Sequence, residues 1–162
     1  MSVTIPNSVT SIGGSAFKYC TELTDITIPK GVREIGVGAF DHCENLTSIT
    51  IPGSVTKISA YAFSDCKSLK KVVIEEGVKE IEECAFGGCE SLEEVVLPAG
   101  VAEIDRDLHI TYEWGGIPFS REIFHECPNI KAIYVPAQQT DYYKQRLDSS
   151  LHSLIVELKP EK

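Results

Sequence analysis

Residues 28–51 read Ile28-Pro29-Lys30-Gly31-Val32-Arg33-Glu34-Ile35-Gly36-Val37-Gly38-Ala39-Phe40-Asp41-His42-Cys43-Glu44-Asn45-Leu46-Thr47-Ser48-Ile49-Thr50-Ile51, and the next residue is again proline. The chain on either side repeats this text every 23 residues. Pro6, Pro29, Pro52 and Pro98 keep the step, with Glu75 in the missing place. Val9, Val32, Val55, Val78 and Val101 keep it, as do Ile12, Ile35, Ile58, Ile81 and Ile104. Ala-Phe pairs begin at Ala16, Ala39, Ala62 and Ala85, followed by Cys20, Cys43, Cys66 and Cys89 and by Leu23, Leu46, Leu69 and Leu92. One unit is therefore I-P-x-x-V-x-x-I-x-x-x-A-F-x-x-C-x-x-L-x-x-I-x. A fifth copy is displaced: Phe124, Cys127, Ile130, Ile133, Val135 and Pro136 lie 38 residues after their counterparts, so fifteen residues are inserted between Ile104 and Phe124, and Ile123 takes the alanine place.

A period of 20–29 residues with leucine-type positions is the mark of a leucine-rich solenoid. A single coil of this length cannot cover its own apolar face, whereas stacked coils bury each Val, Ile, Phe, Cys and Leu against its counterpart in the next. The alternation at each repeat end, as in Asp25-Ile26-Thr27-Ile28, predicts a half-buried strand. These strands are expected to pair in parallel on one face. Proline cannot continue the ladder and turns the chain, and the A-F-x-x-C segment is expected to form a short helical or 3-10 turn opposite. The fold class is an α/β-type repeat solenoid, with five repeats over 1–136, an insertion at 105–122 and a cap over 137–162. Within the cap, Thr140-Asp141 is read as an N-cap before a helix over 142–147, and Leu151, Leu154, Ile155, Val156 and Leu158 as a last strand.

The motifs I-P-x-x-V-x-x-I, A-F-x-x-C and L-x-x-I-x-I-P, in phase over about Val3 to Pro136, resemble the BspA-like (Treponema-type) leucine-rich repeat family. The tail Ile133-Tyr134-Val135-Pro136 followed by Tyr142-Tyr143-Lys144 looks like that family's C-terminal closure. The resemblance implies a curved, right-handed solenoid belonging to surface-exposed or secreted proteins of bacteria and some protozoa. It implies adhesion and the binding of host extracellular-matrix proteins, with no enzyme activity, no cofactor and no fixed catalytic residues.

Composition agrees with a soluble repeat chain. Of 162 residues, 43% are apolar and 24% charged, and Lys+Arg 15 against Asp+Glu 24 leaves a net charge of −9. That balance argues against nucleic acid and against anionic lipid. No apolar run approaches the ~20 residues needed to span a bilayer. The opening Met1-Ser2-Val3-Thr4-Ile5-Pro6 has no signal-peptide pattern. Taken literally this predicts a cytoplasmic protein; the repeat and the resemblance favour a fragment of a longer exported chain. Val3-Thr4-Ile5-Pro6 aligns with Ile26-Thr27-Ile28-Pro29, so the first coil starts within a strand. Its open end is expected to meet further repeats or a second copy of the chain.

The six cysteines first suggest a disulfide framework. Five of them, Cys20, Cys43, Cys66, Cys89 and Cys127, hold one inward repeat position, and free cysteine packs as a small apolar residue. Stacking at ~4.8 Å brings some pairs near disulfide range, but a repeated core position predicts packing. Cys84 is off the ladder, and no zinc spacing is present. His42 beside Cys43 and His125 near Cys127 read as solvent-facing residues next to buried thiols. No nucleophile, phosphate-loop, dinucleotide or zincin motif occurs, so catalytic and metal residues are expected to be none. Asn45-Leu46-Thr47 matches a glycosylation acceptor only as a short pattern.

Solenoids bind through the exposed residues of their stacked strands, a concave surface. Here these are Asp25, Thr27, Ser48, Thr50, Lys71, Val73, Glu94, Val96 and Tyr134. The row Thr27, Thr50, Val73, Val96, Tyr134 turns apolar toward the C-terminus, which suits a partner contact; Thr and Val are also simply good strand formers. The insertion holds His109, Tyr112, Trp114, Phe119 and Arg121, residue types that dominate interfaces. The alternative is that its aromatics fold back over the last coil. Glutamates at 75, 76, 80, 82, 83, 90, 93 and 94 form a solvated acidic face, or a lure for a basic partner or a loose cation. The leading function is a protein-binding module, and the competing one a structural spacer.

Overall fold

The computed structural model describes residues 2–104, 112–114, 117–119 and 122–159. Each repeat contributes one coil, and the coils stack in parallel. The wider strand face is made of β1 (Ser2–Thr4), β3 (Asp25–Thr27), β5 (Ser48–Ile51), β7 (Lys71–Ile74), β9 (Glu94–Val96), β13 (Ala132–Val135) and β14 (Ile155–Glu157). β1 pairs with β3, and β5, β7, β9, β13 and β14 form one sheet in that order. β3 and β5 are joined where the Thr47 N–H donates to the Thr24 carbonyl at 3.4 Å. Registers run Ser48 to Lys71 to Glu94 to Ala132, so counterparts 23 and then 38 residues apart are neighbours. The displaced fifth copy thus re-enters the stack in phase.

A second parallel sheet, not foreseen from the repeat, runs beside the first. It consists of β2 (Ser11–Ile12), β4 (Glu34–Ile35), β6 (Lys57–Ile58), β8 (Glu80–Ile81) and β10 (Glu103–Ile104). Each strand is two residues long, too short to show an alternation in sequence. Its isoleucines point inward and are all buried.

The A-F-x-x-C segments close by turns to the third residue back: Ala39 N–H to Gly36, Asp41 N–H to Gly38 and Cys43 N–H to Phe40, each at 3.1 Å. The intervening N–H groups go elsewhere. Gly38, Phe40 and His42 donate to the next coil at Ala60, Ala62 and Ser64. This interleaving needs a left-handed backbone at every fourth residue. Ser15, Gly38, Tyr61 and Cys84 occupy one such row, and Tyr19, His42, Asp65, Gly88 and Glu126 the other. Hydrogen bonds shared with the next coil leave no continuous helical ladder, so the turns remain single 3-10-type loops.

The core is a set of ladders. Phe17, Phe40, Phe63, Phe86 and Phe124 stack with centroid spacings of 5.0, 5.0, 5.4 and 5.9 Å. Phe40, Phe63 and Phe86 are fully buried, whereas Phe17, with Val3, Ile5, Val9 and Cys20 of the first coil, is only partly so. All six cysteines are free thiols. Four of the five ladder thiols satisfy a carbonyl that the turn leaves open: Cys43 Sγ donates to Phe17 at 3.2 Å, Cys66 to Phe40 at 3.3 Å, Cys89 to Phe63 at 3.2 Å and Cys127 to Phe86 at 3.1 Å. The repeated cysteine is therefore a packing residue with a donor.

Burial pushes the Cys43 thiol up to about 12 and the Cys66 thiol well above its ordinary 9.0. The unfolded chain therefore ionises its thiols first as pH rises, and the folded state holds more protons. Stability from this source is complete below 9.0 and declines as pH climbs toward the folded-state value. The urea midpoint should accordingly fall between neutral pH and pH values above 9.0. At neutral pH an aromatic disulfide reagent should modify half-buried Cys20 ahead of the other ladder thiols. A midpoint insensitive to alkaline pH, or early modification of Cys66, would contradict the ladder.

The C-terminal end is closed by α1 (Thr140–Lys144), a 3-10 turn over Ser149–Leu154, and β14. The helix starts earlier than the sequence suggested: its N-cap is Gln139, and Thr140 Oγ1 donates to Glu157 Oε1 at 2.8 Å instead of capping. Tyr143 is fully buried and donates to the Pro98 carbonyl, while Tyr142 donates to that of Val101. The Arg146 guanidinium lies 3.6 Å above the Tyr142 ring. Among the described residues no helix is long and apolar enough to cross a membrane.

Candidate functional site

The residues expected to bind lie along the wider face. Because alternate strand residues face opposite ways, Ile26, Ile49, Val72, Val95 and Ile133 enter the core. Asp25, Thr27, Ser48, Thr50 and Lys71 are exposed, and Val73, Glu94, Val96 and Tyr134 are half-buried. Strand pairing places Thr50, Val73, Val96, Tyr134 and Val156 in one row of direct neighbours. Val156 is 43% exposed and prolongs the apolar part of the row beyond the last repeat. That extension was not visible in sequence, because β14 does not carry the repeat.

Within the insertion, β11 (Tyr112–Trp114) and β12 (Ile117–Phe119) pair antiparallel, with Tyr112 opposite Phe119 and Trp114 opposite Ile117. Two such strands separated by Gly115-Gly116 carry a hairpin signal. His109 and Arg121 lie outside the described residues.

The acidic excess is less bare than the sequence suggests. Lys57 Nζ lies 3.4 Å from Glu80 and 2.6 Å from Glu82. Lys71 pairs with Glu94 at 3.0 Å, Lys67 with Glu44 at 3.1 Å and Lys131 with Glu93 at 2.8 Å. The Lys131 ammonium holds the Glu93 carboxyl below its ordinary value. Glu75 and Glu76 differ. They are exposed and bind loop N–H groups, Glu75 Oε2 that of Gly53 at 3.1 Å and Glu76 Oε1 that of Ala99 at 2.8 Å.

One further cluster escaped the sequence. Asp41, His42 and Asp65 bring donor atoms within 4.8 Å of one another on the turn face. His42 is therefore only partly solvent-facing: its Nδ1 lies 2.8 Å from Asp41 Oδ1, and Tyr19 packs against its ring. Lys18 Nζ, 2.8 Å from Asp41 Oδ2, already neutralises Asp41. The group is an ion-pair network bridging three coils.

The family model described as BspA type leucine rich repeat region matches residues 1–113 in six copies. The chain belongs to the BspA-type leucine-rich repeat family. Among solved structures it is similar to the T. pallidum leucine-rich repeat protein, at 28% identity and TM-score 0.69 over 82% of this chain and 57% of that one. It is also similar to a leucine-rich cell surface protein of Faecalibacterium prausnitzii, at 30% and 0.74 over 91% and 35%. A leucine-rich repeat protein of Bacteroides ovatus matches at 33% and 0.64 over 83% and 41%. The chain spans 57% or less of the length of each of these relatives. No curated protein sequence matches it. As a BspA-type solenoid it is a repeat scaffold of the protein-interaction kind, and the coil carrying Phe124 and Cys127 lies beyond the matched copies.

Proposed function

We propose that the chain is a non-enzymatic protein-binding module of a bacterial surface or secreted protein, and that the C-terminal half of the wider strand face is its contact surface. The supporting observation is the row Val73, Val96, Tyr134, Val156, a line of half-buried to exposed apolar side chains on a rigid sheet. Unlike the polar row ahead of it, this line offers area that association removes from water. The description of the F. prausnitzii relative as a cell surface protein supports the location. A host extracellular-matrix protein is the partner class proposed.

Capture on immobilised matrix proteins tests this. A Val96→Lys, Tyr134→Ala variant should lose at least about tenfold in capture, since central interface residues contribute on the order of 2 kcal/mol. Both positions are outward, so its melting curve should stay near that of the parent. A folded variant with unchanged capture removes the strand face. Deletion of residues 106–120 reports separately on the insertion, and equal capture would exclude it.

A further inference from the structure

At the carboxyl ends of β7 and β9 a cleft of about 600 Å³ opens beside the apolar row. Val73, Val96 and Pro98 line its middle, Pro136 and Leu158 one side, and Glu75 and Glu76 the other. Two departures from the repeat create it. In the row Pro52, Glu75, Pro98, Pro136, Leu158, two residues beyond the outward strand row, glutamate replaces proline at one flank. At the other flank the non-repeat strand β14 is followed by Leu158, 40% exposed and tied down by its N–H to the Val135 carbonyl at 2.8 Å.

The charge in this cleft is fixed. Each carboxylate is held by one loop N–H, which anchors one oxygen and leaves the other for a ligand. The neighbouring acids Glu80, Glu82, Glu93 and Glu94 have lysine partners, whereas Glu75 and Glu76 have no ammonium within ion-pair distance among the described residues. Lys159 is at the opposite rim. An apolar floor flanked by two oriented, uncompensated carboxylates complements an apolar side chain next to a cation.

We propose that this cleft is a subsite for an extended segment of the partner in which an apolar residue adjoins Lys or Arg. The apolar side chain sits over Val73, Val96 and Pro98, and the basic one meets Glu75 and Glu76. This rests on the strand-face reading and narrows the partner to a basic, apolar segment.

The test uses the ¹⁵N-labelled full chain and two acetylated, amidated peptides, Gly-Leu-Arg-Leu-Arg-Gly and Gly-Leu-Glu-Leu-Glu-Gly. The basic peptide should shift the amides of Val73, Glu75, Glu76 and Val96 saturably, and the acidic one should bind about three- to tenfold more weakly. Glu75→Gln with Glu76→Gln keeps the oxygens that accept from Gly53 and Ala99, so the spectrum should remain folded. It should remove the preference between the peptides. Equal binding of both peptides by the parent, or an undiminished preference in the double variant, overturns the subsite. Shifts confined to Tyr134 and Val156, which lie on the apolar row but outside the cleft, overturn it too while leaving the strand face standing. Capture by the single variant Tyr134→Ala, which leaves the cleft lining intact, decides that larger reading independently.

Discussion

Phe63→Ala should cost about 3–5 kcal/mol, a fifth or more of the stability of an ordinary domain. Phe63 is fully buried and stacks on both sides, 5.0 Å from Phe40 and 5.4 Å from Phe86, with the rings within 6° of parallel. The backbone around it is pinned by turn and inter-coil hydrogen bonds, Phe63 N–H to Ala85 at 2.8 Å among them. The neighbours therefore cannot collapse into the space, and the cavity persists. In a stack whose stability is a sum of nearest-neighbour interfaces, this one change weakens two interfaces at once. Urea unfolding followed by circular dichroism should show a lower midpoint and a broadened transition, as the two halves begin to unfold separately. Phe17→Ala is the internal comparison. Phe17 has one stacked neighbour and is partly exposed, so its loss should be clearly smaller. Equal losses at the two positions would refute the stacked-ladder account.

What was legible in the sequence was whatever the repeat spells with residue identity. The Ala-Phe, Cys and Leu positions announce the core, and their phase fixes the register, even across the insertion. The turn backbone was not legible. Its left-handed rows hold Ser15, Gly38, Tyr61 and Cys84 in one and Tyr19, His42, Asp65, Gly88 and Glu126 in the other, and no residue type unites either. Those conformations are imposed by hydrogen bonds to the next coil, a tertiary cause. Cys84 looked like a stray thiol for the same reason. It sits in the first of those rows and is buried.

The candidate site divides the same way. That Val73, Val96 and Tyr134 form a row followed from the period, but its extension by Val156 and its flanking by Leu158 came from a strand outside the repeat and the residue that follows it. The acidic run around residues 75–94 was visible as composition, whereas its charge balance depends on which residues become neighbours. Identical phase places counterparts one strand spacing apart, ~4.8 Å, where like charges repel. The chain mostly alternates sign at these places: Lys57 lies between Glu34 and Glu80, and Lys71 meets Glu94. Glu75 and Glu76 stand outside that alternation, which is why a feature first seen as a missing proline becomes the charged wall of a cleft.

Gly77→Ala should be the other severe change, at about 3 kcal/mol, and it would act through backbone rather than core. Gly77 has φ +126°, a conformation L side chains rarely adopt, and a Cβ there would lie 2.1 Å from the Gly53 carbonyl oxygen. The contact is reciprocal, since a Cβ on Gly53 would lie 1.9 Å from the Glu76 carbonyl oxygen. Two loops of adjacent coils thus touch backbone to backbone just below the carboxylates of Glu75 and Glu76, and neither partner is a side chain that can swing away. Relief requires moving one loop, which also breaks the bond from Gly53 N–H to Glu75 and releases the carboxylate from the cleft. Gly100→Ala separates strain from clash: Gly100 also has positive φ, at +69°, but nothing lies within 4 Å of its Cβ position. It should therefore cost only about 1 kcal/mol, the conformational part alone. Thermal melting of the two variants measures the difference, and the amide resonance of Gly53 reports whether the loop has moved. If Gly77→Ala melts with Gly100→Ala and the Gly53 amide is undisturbed, the close approach of the two loops does not hold the cleft wall in place.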